Sequence, residues 1–239
     1  HTGEILLILR EAAKPGVTTG ELNEIASSEL GKRGLKSPFL GYAPGGLPPY
    51  PAVLCVSINE EIVHGIPGSR ELEEGDILSL DFGVDREGFH GDSAVTIPIG
   101  PISDEAKRLI EVTHDSLIEG VAQMVAGRRL SDIGHAVQKK AESAGYSVVR
   151  QFVGHGIGRQ MHEPPQVPNY GRPGRGPRFL PGMVFAIEPM VNVGTERVRM
   201  LDDEWTAVTA DGELSAHFEH TVAITDDGPE VLTRIEGSH

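Results

Sequence analysis

The sequence contains a single cysteine, Cys55, among its 239 residues. One cysteine can form neither an internal disulfide nor a multi-cysteine zinc module. No apolar run approaches the ~20 residues of a membrane-spanning helix, and the first segment, HTGEILLILREA, lacks the basic start and cleavage motif of a signal peptide. These absences favour a cytoplasmic protein.

Positive charge is also scarce. The chain has 21 Lys and Arg against 35 Asp and Glu, which gives a formal net charge of −14. Nucleic-acid-binding proteins present clustered Lys and Arg, so the composition predicts no direct binding to nucleic acid. Aromatic residues make up only 5%, but the 38% of hydrophobic residues is enough for an ordinary core.

The sequence repeats a set of landmarks, which predicts two related halves. The segment that begins at Lys14 aligns without a gap with the one that begins at Val125, and in both an apolar stripe at helical spacing precedes a glycine. GDILSLD and GMVFAIE then each run from a glycine to an acid. We therefore predict one domain over residues 1–236, with pseudo-symmetric halves of about 1–110 and 111–236. Residues 237–239 resemble the remnant of an expression tag.

Five ionisable residues lie in segments that suit a metal site: Asp81, Asp92, His155, Glu188 and Glu219. Asp81 and Glu188 fall inside apolar runs that are typical of buried strands. A buried charge has to be paired or has to bind a metal, because its desolvation costs several kcal/mol. Few basic residues lie near these positions in the sequence, so a divalent metal is the expected countercharge.

The segment DFGVDREGFHGD predicts a β-hairpin whose turn is centred on Arg86 and Glu87. This register pairs Val84 with Phe89 and places Asp81 directly opposite Asp92. Two opposed carboxylates repel each other unless they are protonated or bridged, and two metal ions ~3.5–4 Å apart would suit this spacing. For His155 we predict a glycine-rich loop that follows a strand.

Each of these residues has an ordinary alternative role when it is taken alone. Asp81 could be an acid at a turn, Asp92 a loop cap, His155 a satisfied core histidine and Glu219 a residue on a solvated edge. Together the five support a site for two divalent ions, whose charge cancels that of four carboxylates. Oxygen-rich ligation with one imidazole suits Mn, Fe or Co and accepts Zn. Such a site generates hydroxide from a bridging water and so favours hydrolysis.

Five segments closely resemble the signatures of the type I methionine aminopeptidases: CVSINEEIVHGIP, LDFGV…GFHGDSAVT, GHGIGRQMHEPPQV, FAIEPMV and LSAHFEHTV. The resemblance covers about Lys14 to Thr233. It implies an α/β pita-bread fold, in which pseudo-twofold antiparallel sheets are covered by helices. It also implies that the five residues are the metal ligands, with Asp92 and Glu219 bridging and Glu188 also transferring a proton.

The same resemblance assigns further residues. His64 and His162 match the substrate-facing histidines of the family. The methionine pocket would be formed by Phe39, Tyr42, Tyr50, Cys55, Met161 and Trp205. Phe39 and Met161 depart from the commonest bacterial pattern, and so does the long loop over residues 43–49. A monovalent cation would lie near Asn59, Glu61 and Ser215.

The resemblance thus implies a bacterial-type, monomeric enzyme that acts on nascent polypeptides at the ribosome. It would remove the initiator methionine before a small second residue, by attack of a metal-bridged hydroxide. Three rival functions are a metallopeptidase of the same fold that cleaves Xaa-Pro bonds, an inactive member that serves as a binding module, and a non-metal hydrolase of this fold, which would not need the carboxylate cluster.

Overall fold

The computed structural model describes residues 1–234, so the predicted tag remnant at 237–239 lies outside the described residues. The helices are α1 (Thr2–Ala12), α2 (Thr19–Arg33), α3 (Asp104–Val121) and α4 (Ser131–Ser143). The strands are β1 (Cys55–Ile58), β2 (Glu61–Val63), β3 (Ile77–Arg86), β4 (Phe89–Pro98), β5 (Ser147–Val148), β6 (Gly154–Gly156), β7 (Glu163–Val167), β8 (Val184–Ile187), β9 (Met190–Asn192), β10 (Val198–Met200), β11 (Ala207–Thr209), β12 (Ser215–His217), β13 (Glu219–Thr225) and β14 (Gly228–Val231).

Helices α2 and α4 are the two repeated helices that the alignment predicts. Helix α2 begins with a capping box, in which Thr18 and Glu21 each bind the other's backbone N–H, and it ends at Gly34 with φ 64°. Helix α4 ends at Ala144 instead, and Gly145 follows with φ 91°. Both helices bury most of the predicted apolar stripe.

The main sheet has eight antiparallel strands, in the order β1-β3-β4-β13-β8-β6-β7, and β14 pairs with β13. Reading outward from the junction of β4 and β13, β3 and β1 on one side correspond to β8 and β6 on the other. This order has the pseudo-twofold symmetry of the predicted fold. Two three-stranded sheets, β10-β11-β2 and β12-β9-β5, complete the structure of the described residues.

The junction between β4 and β13 contains only two registered pairs, Glu219 with Ala94 and His220 with Ser93. Side-chain hydroxyls add to it: Ser93 Oγ donates to the carbonyl of Glu219 at 2.7 Å, and Thr96 Oγ1 donates to that of His217 at 2.8 Å. In the opposite direction, Thr221 Oγ1 donates to the carbonyl of Asp92 at 2.8 Å. The two halves of the sheet are therefore joined largely through hydroxyl groups, next to two of the predicted ligands.

The β3–β4 hairpin forms, but its predicted register is wrong. The turn is made by Glu87 and Gly88, whose φ values are 55° and 78°, so Arg86 pairs with Phe89. Two successive positive φ values are typical of the tight type I′ turn. The shift places Asp81 opposite Ala94, and Asp92 opposite Gly83. The two acids are therefore diagonal neighbours on the same face rather than a directly opposed pair.

The two faces of the sheet have different roles. Leu80 and Phe82 of β3 point into a core that α1 and α2 cover, and Val222 and Ile224 of β13 point into a second core beneath α3 and α4. Asp81 of β3 and Glu219 of β13 face the other side, and there they line a cavity. Alternation along a strand thus separates the structural core from the chemical groups.

The proline-rich stretch after Tyr42 forms the predicted loop, with one short 3₁₀ turn at Pro44–Gly46. Pro164 and Pro165 do enter a strand, β7, which is tolerated because β7 lies at the edge of the sheet. None of the helices in residues 1–234 is long and apolar enough to span a membrane.

Candidate active site

The predicted site residues line one cavity of about 300 Å³. It is lined by the five proposed ligands, both proposed substrate-facing histidines and all six proposed pocket residues: Phe39, Tyr42, Tyr50, Cys55, His64, Asp81, Asp92, His155, Met161, His162, Glu188, Trp205 and Glu219. The sequence separation between these residues is bridged by the pairing of β1, β3, β4, β13, β8 and β6 in one sheet.

Four carboxylates lie at one end of this cavity. Asp81 and Asp92 project from β3 and β4, and Glu219 is the first residue of β13. Glu188 does not lie within a strand as predicted. It follows the last residue of β8 and precedes Pro189, which has no N–H to continue a strand ladder.

In the described part of the chain, no lysine or arginine balances the charge of this carboxylate cluster. Asp92 and Glu219 are 4% and 2% exposed. Within residues 1–234, the ion pair found for the cluster joins Glu188 to His155 Nε2 at 3.5 Å, and no lysine or arginine takes part. Asp81 Oδ1 and Glu219 Oε1 are buried without a hydrogen-bond partner. Such an arrangement is unfavourable unless protons or cations neutralise it.

Burial raises the pKa of every carboxyl group in the cluster. Burial is the larger cause for Asp81, Glu188 and Glu219, and neighbouring carboxylates add to the increase. Burial raises the pKa of Asp92 to about 7, although hydrogen bonds from Ser93 and Asp81 oppose the shift. The metal-free cluster therefore retains protons at pH values where ordinary carboxylates have lost them.

His155 is oriented toward the carboxylates. Its Nδ1 lies 2.8 Å from the carbonyl oxygen of Gly156, to which it donates, so Nε2 carries the free lone pair. Contrary to the prediction of a loop, His155 lies in the short strand β6 between β7 and β8. Gly154 and Gly156 permit this packing, because a Cβ at either position would collide with the backbone of a neighbouring strand.

These residues suit divalent metal ions. One ligand atom each from Asp92, His155 and Glu219 lies within 4.8 Å of the others, and Asp81 and Glu188 line the same cavity. The unpartnered oxygens of Asp81 and Glu219 would gain a partner from a cation. Oxygen donors and one imidazole form a set that Mn, Fe, Co and Zn accept.

The two further histidines, His64 and His162, line the same cavity. His64 has φ 62°, an uncommon conformation for a residue with a side chain, and its ring meets Phe152 and Trp205 edge-to-face at centroid distances of 5.2 and 6.0 Å. The ring of His162 lies 4.2 Å from that of His155, and its Nδ1 lies 3.0 Å from the hydroxyl of Tyr42. Burial lowers the pKa of both His64 and His162 to about 4, so both are neutral at pH 7.

The apolar part of the cavity wall is a cluster of Phe39, Tyr50, Cys55, Met161 and Trp205, against which Tyr42 packs. The hydroxyl of Tyr50 donates to the carbonyl of Gly65 at 2.9 Å, and Trp205 Nε1 donates to that of Pro48 at 3.0 Å. The loop over residues 43–49 is therefore anchored to the pocket wall. Burial strongly raises the pKa of the Cys55 thiol, so it remains protonated and unreactive.

The three residues proposed for a monovalent cation lie close together outside this cavity lining. The backbone N–H of Ser215 donates to the carbonyl of Asn59 at 2.9 Å. The Glu61 carboxylate accepts from the N–H of Ile58 at 2.8 Å and from Arg70 at 2.9 Å. Much of the acceptor capacity in this group is thus already used.

Sequence reasoning missed five residues that line the cavity: Pro44, Leu47, Phe152, Met200 and Glu204. Phe152 contacts His64, and Glu204 has φ 65° beside Trp205. The motif RQFVGHG next to His155 could have drawn attention to Phe152. Nothing in the local sequence distinguishes Met200 or Leu47 from ordinary surface residues.

The model of the metallopeptidase family M24 matches residues 2–226. The chain belongs to this family. It is 53% identical over 234 residues to a methionine aminopeptidase of Clostridium perfringens, with 98% of this chain and 92% of the relative covered. It is 52% identical over 227 residues to methionine aminopeptidase 1 of Bacillus subtilis, with coverage of 95% and 90%. This M24 member is of the bacterial type I.

Solved structures of the family have the same fold. The crystal structure of a methionine aminopeptidase from Rickettsia prowazekii matches with a TM-score of 0.94 and 39% identity, and the match covers 98% of this chain and 92% of that one. An Xaa-Pro dipeptidase from Bacillus anthracis matches with a TM-score of 0.74 and 21% identity, over 99% of this chain but 59% of that one. The second likeness concerns the fold alone.

Proposed function

We propose that this M24 member is a metal-dependent aminopeptidase that removes the initiator methionine from polypeptides whose second residue is small. The observation that carries the proposal is the joining of two environments in one cavity. Carboxylates that have no lysine or arginine partner among residues 1–234 line this cavity, and so does a cluster of apolar side chains. Relatives about half identical to this chain are methionine aminopeptidases.

The ions would be held by Asp81, Asp92, His155, Glu188 and Glu219. Two divalent ions would balance the four carboxylates and supply Lewis acidity together with a nucleophilic water near neutral pH. The number of ions and their identity among Mn, Fe, Co and Zn are parts of the proposal. So is the assignment of Asp92 and Glu219 as the bridging pair, which their adjacent strands support.

Side chains of this protein then carry out proton transfer, hydrogen bonding to the scissile bond and binding of the methionine side chain. Glu188 carries a proton from the attacking water to the leaving nitrogen, a role supported by its position in the cavity wall beside His155. His162 and His64 are neutral and donate hydrogen bonds to the carbonyl oxygen and amide of the scissile bond. The cluster of Phe39, Met161 and their neighbours receives the unbranched methionine side chain.

Further parts of the proposal concern the compartment, the oligomeric state, the site of action and a monovalent cation. We place the enzyme in the cytoplasm as a monomer that acts on nascent chains at the ribosome, with a monovalent cation near Asn59, Glu61 and Ser215. The single buried Cys55 supports a reducing compartment. Sedimentation of the purified chain would test the monomer, and co-sedimentation with translating ribosomes would test the site of action.

A peptide assay tests the activity. The protein is stripped of metal, given Mn, Fe, Co or Zn in turn, and offered Met-Ala-Ser and an Xaa-Pro peptide. We expect metal-dependent release of free methionine and an intact proline peptide. Cleavage of the proline peptide alone would instead indicate the neighbouring specificity, and bound metal without any cleavage would indicate a binding module.

A variant tests the role of Glu188. Glu188→Ala should abolish turnover and weaken metal binding, measured by calorimetric titration of the stripped protein. Glu163→Ala, a change of another carboxylate in the same part of the chain, is the control. Full activity in the Glu188 variant would contradict the assigned role.

A further inference from the structure

A second surface carries an unusual concentration of arginine. Five arginines lie on two loops that border the start of α4: Arg128, Arg129, Arg172, Arg175 and Arg178. All are exposed except Arg129, which is half-buried. We call this surface the arginine platform.

The platform is held rigidly by α4. A Cβ at Gly134 of α4 would collide with the carbonyl of Pro168, so the second loop lies directly on the helix backbone. Ser131 and Gln138 accept from the N–H groups of Arg175 and Gly171 at 2.7 and 2.9 Å. Fixed loops of this kind hold their side chains in place at little entropic cost.

Backbone bonds also tie the two loops to each other. Leu130 N–H donates to the carbonyl of Pro177 at 3.0 Å, and Phe179 N–H donates to that of Arg128 at 2.9 Å. Two of the arginines add to this frame, because Arg129 donates to the carbonyl of Gly176 at 2.7 Å and Arg178 donates to that of Gly127 at 2.8 Å. The arginines therefore lie on two loops that hydrogen bonds hold together.

The charge of the platform is poorly compensated. Although the chain has 35 acidic residues, none lies between Pro164 and Ile187, a stretch with three arginines. Among the salt bridges of residues 1–234, none involves a platform arginine. The nearby Asp132 accepts from the backbone N–H groups of Gly174 and Arg129, and its charge interacts with those of Arg128 and Arg129, so it offsets part of the positive charge.

We propose that the arginine platform binds the phosphate backbone of structured RNA. Arginine presents a planar fork that matches phosphate, and every cation on the two loops is an arginine. Beside the platform, Arg150 stacks over the ring of Tyr170 at 5.2 Å, and guanidinium and aromatic planes are groups on which unpaired bases stack. The interaction needs no metal and does not depend on the peptidase function.

The net charge of −14 does not argue against this surface. At physiological ionic strength, exposed charges more than ~8 Å apart are largely screened from each other. A phosphate that touches the platform thus responds to the local arginines more than to distant acids. The composition predicts no binding over the chain as a whole, and the platform is the proposed exception.

The test measures binding of a fluorescein-labelled RNA hairpin to the whole protein by anisotropy, over a range of salt concentrations. Three or four phosphate contacts give a slope of about −3 to −4 for log K against log salt, so binding weakens about a hundredfold from ~50 to ~200 mM salt. The triple variant Arg128→Gln, Arg172→Gln, Arg175→Gln spares the two arginines that brace the loops. It should bind at least about tenfold more weakly at ~50 mM salt, with a slope of about −1.

The control removes the same charge elsewhere, through Lys32→Gln, Arg86→Gln and Lys107→Gln, and should bind RNA as the unchanged protein does. Circular dichroism melting should give the same Tm for both triple variants. Equal weakening in the two would overturn the proposal, as would undetectable binding at ~50 mM salt. Tighter binding to phosphatidylglycerol vesicles or to an acidic peptide than to RNA would overturn the choice of partner.

Discussion

The phenol oxygen of Tyr42 lies 3.0 Å from Nδ1 of His162, and the two rings stack with their centroids 5.2 Å apart. Burial raises the pKa of Tyr42, so the hydroxyl keeps its proton and donates it to Nδ1. The neutral imidazole must then carry its own proton on Nε2. Tyr42 thereby selects the tautomer that the proposed role of His162, as a hydrogen-bond donor to substrate, requires.

Tyr42→Phe should lower kcat about five- to tenfold, because it removes one hydrogen bond worth ~1 kcal/mol and retains the stacked ring. KM and metal content should change little. Steady-state kinetics on a Met-Ala peptide and ¹⁵N NMR of the His162 ring measure the two effects. Tyr170→Phe, on the surface, is the control. Unchanged ¹⁵N shifts would show that Tyr42 does not select the tautomer.

Asp92→Asn should have opposite effects on stability with and without metal. In the metal-free protein, burial raises the pKa of Asp92 from 3.8 to about 7. A raised pKa contributes stability that is complete below about pH 4 and is lost as the pH rises through about 7. The neutral amide avoids this loss. A pKa difference of about 3 is worth about 4 kcal/mol, and ~1 kcal/mol shifts Tm by about 2–4 °C, so the metal-free variant should exceed the unchanged protein in Tm by about 10 °C at pH 8.

The difference should vanish toward pH 4, where Asp92 is protonated in either state. With Mn added, the order should reverse, because an amide is a poorer metal ligand than the carboxylate that we propose as a ligand at this position. Differential scanning calorimetry at several pH values, with chelator or with metal, measures both arms. A variant less stable than the unchanged protein at pH 8 without metal would refute the repulsion argument.

Phe39 and Gly83 should be coupled. A Cβ at Gly83 would lie 2.8 Å from Pro38 Cγ and 3.0 Å from Cε1 of Phe39. Gly83→Ala should therefore destabilise the protein by about 1–3 kcal/mol through overpacking. Phe39→Leu in the same chain should recover part of this loss, and a double-mutant cycle from urea unfolding would give the coupling. Gly31→Ala, where a Cβ meets nothing within 4 Å, is the control.

His217 should make the fold sensitive to acid. It is 2% exposed, its Nε2 has no hydrogen-bond partner, and burial followed by the nearby His64 lowers its pKa to about 3. A lowered pKa contributes stability that is complete above 6.5 and is lost as the pH falls toward 3. His217→Gln should thus move the midpoint of acid unfolding to lower pH. The exposed His135→Gln should leave the midpoint unchanged, and an equal shift in both variants would contradict the argument.

Much of the site could be predicted because its residues are anomalous in sequence. Asp81 stands out among apolar neighbours, and only a countercharge or a metal makes such a position tolerable. The repeated order of glycines and acids indicated which carboxylates correspond between the halves, and the placement of β3 and β4 opposite β8 and β13 agrees with it.

The errors arose where tertiary contacts override local patterns. Glu87 adopts φ 55°, a left-handed conformation that a glutamate side chain does not predict. The predicted centre of the turn was therefore wrong by one residue. The glycines around His155 suggested a flexible loop. They are instead required by the close approach of β7 and β8, which only the assembled sheet reveals.

The junction of β4 and β13, with two registered pairs and a row of hydroxyl bridges, also marks where the molecule could be divided. A break between Pro98 and Asp104 would leave two polypeptides, each with two of its own helices and two of the four carboxylates. Like charges would drive such fragments apart, and a divalent cation would hold them together. The chain can thus be divided into two fragments whose reassembly depends on, and so indicates, the presence of a divalent metal ion.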